Sequence, residues 1–373
     1  MENFIKFIFK TNLFIPFSRI TVYAKPFRGG GMSTVLVTGD RGFIAGYLVE
    51  KLLSNNHRVI GIDNDWKYGK QEKKYDTNPN YHHYTGDVKD VDLLKKKLKD
   101  HQVEYFVAAA SWIGGISFFH KLAYDLLAEN ERIFASAFDS AIWAHKNLQL
   151  KKIIVISSSM VFENSKVYPT PESEVYNCPP PDSTYGFQKL ATEYFCRGAW
   201  EQYKLPYSIV RPFNAVGIGE KRAQLDKEVM SGNIKLAFSH VVPDLIQKIY
   251  KGQSPLHILG DGKQIRHYTY GGDIADGIYQ CIFNPKSKNN DFNISNNIST
   301  DVLTLAEKIW FRLNPEKPFK YTSDEPFKYD VQRRIPDVEK AKKILGFEAK
   351  TNLTSILDEV VPWVCKMVDE GAI

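Results

Sequence analysis

The chain has only four cysteines, Cys178, Cys196, Cys281 and Cys365, and no two of them form a Cys-x-x-Cys pair. That spacing argues against a thiolate zinc site and a disulfide framework, and it suits a reducing compartment such as the cytoplasm. No bound metal is expected. Long apolar runs are missing too: nothing approaches the roughly 20 uninterrupted residues of a membrane span, so stable membrane insertion is not expected. Nor does one charge dominate. The 49 Lys and Arg against 43 Asp and Glu give a net charge of +6, and most of it sits in residues 1–31, where Lys6, Lys10, Arg19, Lys25 and Arg28 face Glu2 alone. The rest is near neutral and carries no nucleic-acid footprint. There is no internal repeat and no low-complexity tract.

Residues 1–31 stand apart in other ways. Their apolar stretches are broken by Lys6, Lys10 and Pro16, and no signal-peptide cleavage region follows. Met32 lies immediately before the first strand. The expectation is an N-terminal extension that is disordered or not native, with a targeting or membrane-surface segment as the alternative.

From Ser33 onward the pattern alternates buried strands with amphipathic helices at the spacing of βαβ units, which predicts an α/β fold with a doubly wound parallel sheet. Strands are expected at Val35–Thr38, Arg58–Asp63, before Gly86, at Val103–Ala110, Lys151–Ser158 and Tyr207–Pro212. Helices are expected at about 42–55, 91–99, 122–145 and 183–203. Beyond Asn214 the regularity drops. The chain therefore divides into a dinucleotide-binding domain over 32–212 and a smaller, partly interleaved C-terminal lobe over 213–373 with segments returning to the first domain.

Two motifs carry chemistry. The first, Thr38-Gly39-Asp40-Arg41-Gly42-Phe43-Ile44-Ala45, follows the first strand and opens a helix. Gly39 allows the tight turn, Gly42 lets the backbone approach a pyrophosphate at the helix N-terminus, and Ala45 permits close helix–strand packing. Asp63 ends the second strand about 20 residues later, where a carboxylate binds both adenosine ribose hydroxyls and repels a 2′-phosphate. Asn64 and Asp65 after it bring no arginine for that phosphate, so NAD is expected rather than NADP. The second motif is Tyr185-Gly186-Phe187-Gln188-Lys189. A phenol with its ordinary pKa near 10 is a poor base at neutral pH. A lysine one helical turn on shares its face, stabilises the phenolate and can hold the nicotinamide ribose.

In this order, with Ser157, Ser158 and Ser159 on a strand between them, the motifs resemble those of the extended short-chain dehydrogenases, the NAD-dependent nucleotide-sugar epimerase/dehydratase family. The resemblance runs from about Ser33 to the C-terminus. It implies a Rossmann-type fold with a substrate-binding C-terminal lobe. It also implies a nucleotide-diphosphate sugar as partner and a homodimer, formed through the helices at 122–145 and 183–203 with Phe134, Phe138, Tyr194 and Trp200 as seam candidates, core packing explaining these aromatic residues just as well. By the position of Val161-Phe162, the family's catalytic serine is Ser158. Asn130 matches the helix asparagine that supports the site, and Asp87-Val88 the adenine-contacting pair. Phe43, Ile44 and Ala109 fall on the cofactor side. Asn214 in Arg211-Pro212-Phe213-Asn214, Arg266 in the turn beginning Gly260-Asp261-Gly262, and Arg334 in Asp330–Asp337 match substrate-phosphate contacts. The loop Ala109–Ile116 carries a Gly-Gly-Ile similar to that of GDP-sugar relatives, with Trp112 as a departure.

The two positions after Ser158 separate chemistries within the family. The 4,6-dehydratases carry Asp-Glu there, the decarboxylases Glu and the 3,5-epimerases Cys at the second place, whereas this chain has Ser159-Met160. A thioether moves no protons. The expected activity is thus C4 epimerisation: Tyr185 takes the C4 hydroxyl proton as hydride leaves, the 4-keto sugar turns, and hydride returns to the other face. A ketoreductase, dehydrogenase or dehydratase of the same family is the alternative. A non-catalytic dinucleotide-binding scaffold is the reading from a different class.

Overall fold

The computed structural model describes residues 31–113, 122–220, 230–235, 240–326 and 331–372. The N-terminal extension up to residue 30, the Gly-Gly-Ile part of the 109–116 loop, much of 217–240 and Asp330 lie outside the described residues.

Seven parallel strands form the central sheet: β1 (Thr34–Thr38), β2 (Arg58–Asp63), β3 (Tyr81–Thr85), β4 (Tyr105–Ala108), β5 (Lys152–Ile156), β6 (Tyr207–Pro212) and β7 (Asn290–Ile294). Their spatial order is β7-β6-β5-β4-β1-β2-β3. The central strands read as near-continuous Val, Leu and Ile because both faces are covered. Helices α1 (Phe43–Ser54) and α6 (Gly271–Phe283) pack on one face, with Leu48, Leu52, Ile274 and Ile278 fully buried. Helices α2 (Val91–Asp100), α3 (Ala123–Asn147) and α4 (Thr184–Tyr203) cover the other through Leu94, Phe134, Phe138 and Cys196. A third core joins α5 (Val241–Tyr250), α7 (Val302–Leu313) and α9 (Leu353–Asp369). The short α8 (Glu339–Leu345) packs beside β7. The doubly wound parallel α/β fold is borne out.

The chain beyond Asn214 is more regular than its sequence suggests, and the segments of it that return to the main sheet are α6 and β7. Strand β7, Asn-Asp-Phe-Asn-Ile, lacks a clean apolar pattern because its polar side chains are used inside. Asp291 pairs with Arg211 on β6 at 2.7 Å, and the Asn293 amide donates to the Thr170 carbonyl at 3.0 Å. Of the seam candidates, Phe134 and Phe138 are 1–2% exposed within the core of this chain, so core packing accounts for them. Tyr194, at 62%, does face outward.

A buried ionic network fixes α4 against the sheet. Glu193 of α4 accepts from the Ser157 hydroxyl at 2.7 Å and takes two bonds of 2.7 Å from Arg211. Asp291 also pairs with Lys340 of α8 at 2.5 Å. Burial alone would raise the Asp291 carboxyl, but Arg211 and Lys340 outweigh it and hold it below the usual range. Removing one member of such a buried set leaves uncompensated charge. Arg211→Met is therefore expected to cost about 3–5 kcal/mol in urea denaturation. A loss below about 1 kcal/mol would mean that the network does not hold α4.

Candidate active site

The glycine turn is dictated by sterics. Gly39 has φ of +72°, and a Cβ there would meet the Ala110 backbone at 2.8 Å. The backbone of the loop after β4 therefore lies directly against the turn. Gly42 then caps α1 without any side-chain hydrogen bond, so the first-turn N–H groups face outward as an anion site.

A cleft of about 810 Å³ opens along the carboxyl ends of the strands, where ligands bind in open α/β sheets. It is lined by Gly39, Gly42, Phe43, Ile44, Asp63, Asp87, Val88, Ala109, Ser158, Tyr185, Lys189, Asn214, Arg266 and Arg334, so it gathers every site residue expected from the sequence but one. That one is Asn130. It is fully buried outside the lining, and its side chain holds the loop after β4: its Oδ1 accepts from the Trp112 N–H at 2.7 Å and the Ser111 hydroxyl at 3.0 Å. Its amide donates to the Trp112 carbonyl at 2.9 Å. Asn130 thus positions the loop after β4.

At one end of the cleft, burial pushes the Asp63 carboxyl up, and the nearby Asp40 and Asp65 add to it. Backbone N–H groups of Asp65 and Arg41 pull it back. Arg41 also lines the cleft, although the sequence reading placed no arginine near this carboxylate. Its guanidinium is engaged elsewhere, donating to Asp76 at 2.6 Å and to the Gln71 carbonyl at 3.2 Å.

At the other end the three serines separate. Ser157 bonds Glu193, whereas Ser158 hydrogen-bonds Tyr185 and also accepts from the Met160 N–H at 3.2 Å. Burial holds the Tyr185 phenol above its ordinary pKa; Ser158, Arg334 and Lys67 offset only part of that rise. Lys67 and Arg334 thus contribute where the sequence reading looked to Lys189. Lys189 donates to the Ile156 carbonyl at 3.1 Å and lies 5.8 Å from the Tyr185 ring centre, and burial lowers its pKa to about 8. Lys67 was not foreseen, since nothing in the pattern after Asp63 directs its side chain toward this tyrosine.

The remaining substrate-side residues also converge. Asn214 adopts φ of +38°, and its buried Oδ1 finds no hydrogen-bond partner, an orphan acceptor at the cleft. The Arg266 and Arg334 segments run side by side, with the Ile265 N–H donating to the Gln332 carbonyl at 2.9 Å and the Arg334 N–H to the Ile265 carbonyl at 3.2 Å. Two guanidinium groups in one cleft suit a diphosphate-bearing ligand, while the orphan Asn214 Oδ1 can accept only from a ligand donor such as a hydroxyl or N–H. The turn, the helix N-terminus and Asp63 together fit a dinucleotide.

The lowered pKa of Lys189 has a sign that can be checked. Between pH 8 and 10.5 the unfolded chain binds more protons at this position than the folded one, so the group's contribution makes stability rise with pH across that window. Lys189→Met is expected to be more stable than wild type at pH 7 by on the order of 1–3 kcal/mol, the difference shrinking toward pH 10.5. Urea denaturation at both pH values measures this; a variant less stable at pH 7 would contradict it.

Comparison with known proteins places the chain. The NAD dependent epimerase/dehydratase family matches residues 35–295. A UDP-glucose 4-epimerase of Halalkalibacterium halodurans is 26% identical over 342 residues, covering 88% of this chain and 95% of that one. UDP-glucuronic acid decarboxylase 3 of Arabidopsis thaliana is 26% identical over 326 residues, covering 86% and 85%. The structure of UDP-glucose 4-epimerase with UDP-glucose from Thermotoga maritima superposes with a TM-score of 0.75 at 28% identity, covering 90% of this chain and 99% of that one. With a match over this much of its length, the chain belongs to the NAD-dependent epimerase/dehydratase family.

Proposed function

We propose that this chain is a nucleotide-sugar 4-epimerase. The observation that carries the reading is Ser159-Met160, which lines the cleft directly after Ser158 with neither carboxylate nor thiol. Met160 packs against Tyr185 in an apolar cluster with Leu126. Loss of water across C5 and C6, or inversion at C3 or C5, needs a proton-moving group that a thioether cannot be. Oxidation and re-reduction at C4 need only a phenol that cycles its proton.

Bound NAD supplies a hydride acceptor and donor. Gly39, Gly42, Asp63 and Lys189 hold and orient it. Ser158 bonds the reacting hydroxyl, and Tyr185 takes its proton, with Lys67 and Arg334 stabilising the phenolate charge. Asn214, Arg266 and Arg334 grip the diphosphate, the fixed end about which a 4-keto sugar turns. Tyr185 would then return its proton to the C4 oxygen as the turned 4-keto group is reduced on its opposite face. Both the 4-epimerase and the decarboxylase among the similar proteins are named for UDP-sugar substrates, which makes UDP-sugars the first to try.

The test is proton NMR of purified protein with UDP- and GDP-sugars and no added NAD. Interconversion of C4 epimers is expected, and Tyr185→Phe should retain NAD while losing at least about 10³-fold in turnover. Net consumption of added NAD or NADH would instead support the ketoreductase or dehydrogenase alternative. Full biological activity in Tyr185→Phe would favour a scaffold.

A further inference from the structure

Trp66 and Trp112 lie on different loops, yet their ring centroids are 4.9 Å apart at a 41° tilt. Trp66 follows β2 and Trp112 follows β4. These strands are the two neighbours of β1 in the sheet, so their loops flank the glycine turn on either side. Both rings line the same cleft as Gly39, Gly42, Asp63 and Lys189. Contact between them therefore bridges the cleft from one side of the turn to the other.

Both backbones are held in place. Asn130 fixes Trp112 by accepting from its N–H at 2.7 Å and donating to its carbonyl at 2.9 Å. The Trp66 N–H donates to Asn64 Oδ1 at 3.1 Å, and the Gly69 N–H closes the turn onto the Asp65 carbonyl at 2.9 Å. Farther along that loop, Arg41 of the glycine turn binds Asp76 and the Gln71 carbonyl. The glycine turn itself thus anchors the loop that carries Trp66. The two rings also pack in the apolar cluster with Met160 and Tyr185, which joins the bridge to the reacting centre.

We infer that Trp66 and Trp112 form a clasp across the cofactor cleft that retains NAD between turnovers. The inference rests on the epimerase reading, in which the hydride returns and the cofactor has no need to leave. An enzyme exchanging its dinucleotide at every turnover would be slowed by such a bridge. The rings act as one unit, because removing either opens it.

The experiment loads the full chain with radiolabelled NAD, adds excess unlabelled NAD and follows loss of label. Trp66→Ala and Trp112→Ala are each expected to release NAD about three- to tenfold faster than wild type. The double variant should be no faster than the quicker single one. Trp66→Phe keeps a ring and should stay within about twofold of wild type. Release at the wild-type rate from folded Trp66→Ala and Trp112→Ala overturns the clasp. So does additive acceleration in the double variant. If Trp112→Ala fails to fold, Trp66→Ala decides alone. Ring-dependent retention without any C4 epimerisation would sustain the clasp and remove the epimerase reading; epimerisation with ring-independent retention would do the reverse.

Discussion

The buried contact between Glu193 and Arg211 is the constraint on which the site depends. One carboxylate on α4 is bonded to β5 through Ser157 and to β6 through Arg211, which extends to Asp291 on β7. Tyr185 and Lys189 lie on the same helix as Glu193, about two turns and one turn before it. Their approach to Ser158 therefore follows from where that carboxylate is tied down. A buried ion pair is rarely an efficient source of stability, since desolvation offsets most of its Coulombic gain. Its use here is geometric. It sets the distance between a helix and the strand end that carries the serine, and apolar packing alone would leave that distance looser.

The site is layered around that fixed distance. The glycine turn, closed by the Ala110 backbone, and Asp63 form a pole for a dinucleotide. The paired segments of Arg266 and Arg334, with Asn214, form a cationic pole at the other side. Tyr185 lies between them, where burial raises the phenol and nearby cations lower it. Proton transfer at this position responds to which charges occupy the cleft, so binding and chemistry are coupled through the field. Asn130 shows how far the supporting structure reaches: it touches no reacting group, yet it sets the loop that closes one wall.

Much of this was legible in the sequence because each feature is local. A positive-φ glycine, a helix N-terminus, a strand-end carboxylate and an i,i+4 pair all leave short signatures; five of the seven strands follow from apolar runs, and β3 from its place before Gly86. What was missed depends on distant partners. Strand β7 is polar because Asp291 and Asn293 find their counterparts on β6 and at Thr170, more than 70 residues away. Lys67 acts on a tyrosine more than 100 residues later. Phe134 and Phe138 look the same in sequence whether they face a partner copy or their own core; only the packing of α3 on β4 and α4 decides for the core. Arg41 was overlooked as a cleft residue because the turn motif describes backbone, and its side chain is turned aside by Asp76.

The central claim is that hydride leaves C4 and returns to C4 of the same sugar while Tyr185 cycles one proton. A nucleotide sugar bearing deuterium at C4 tests it most directly, followed by NMR as the epimers equilibrate in ordinary water. The account predicts that both epimers keep the deuterium at C4. Washout of the label into solvent, or its accumulation in released NADH, would contradict it.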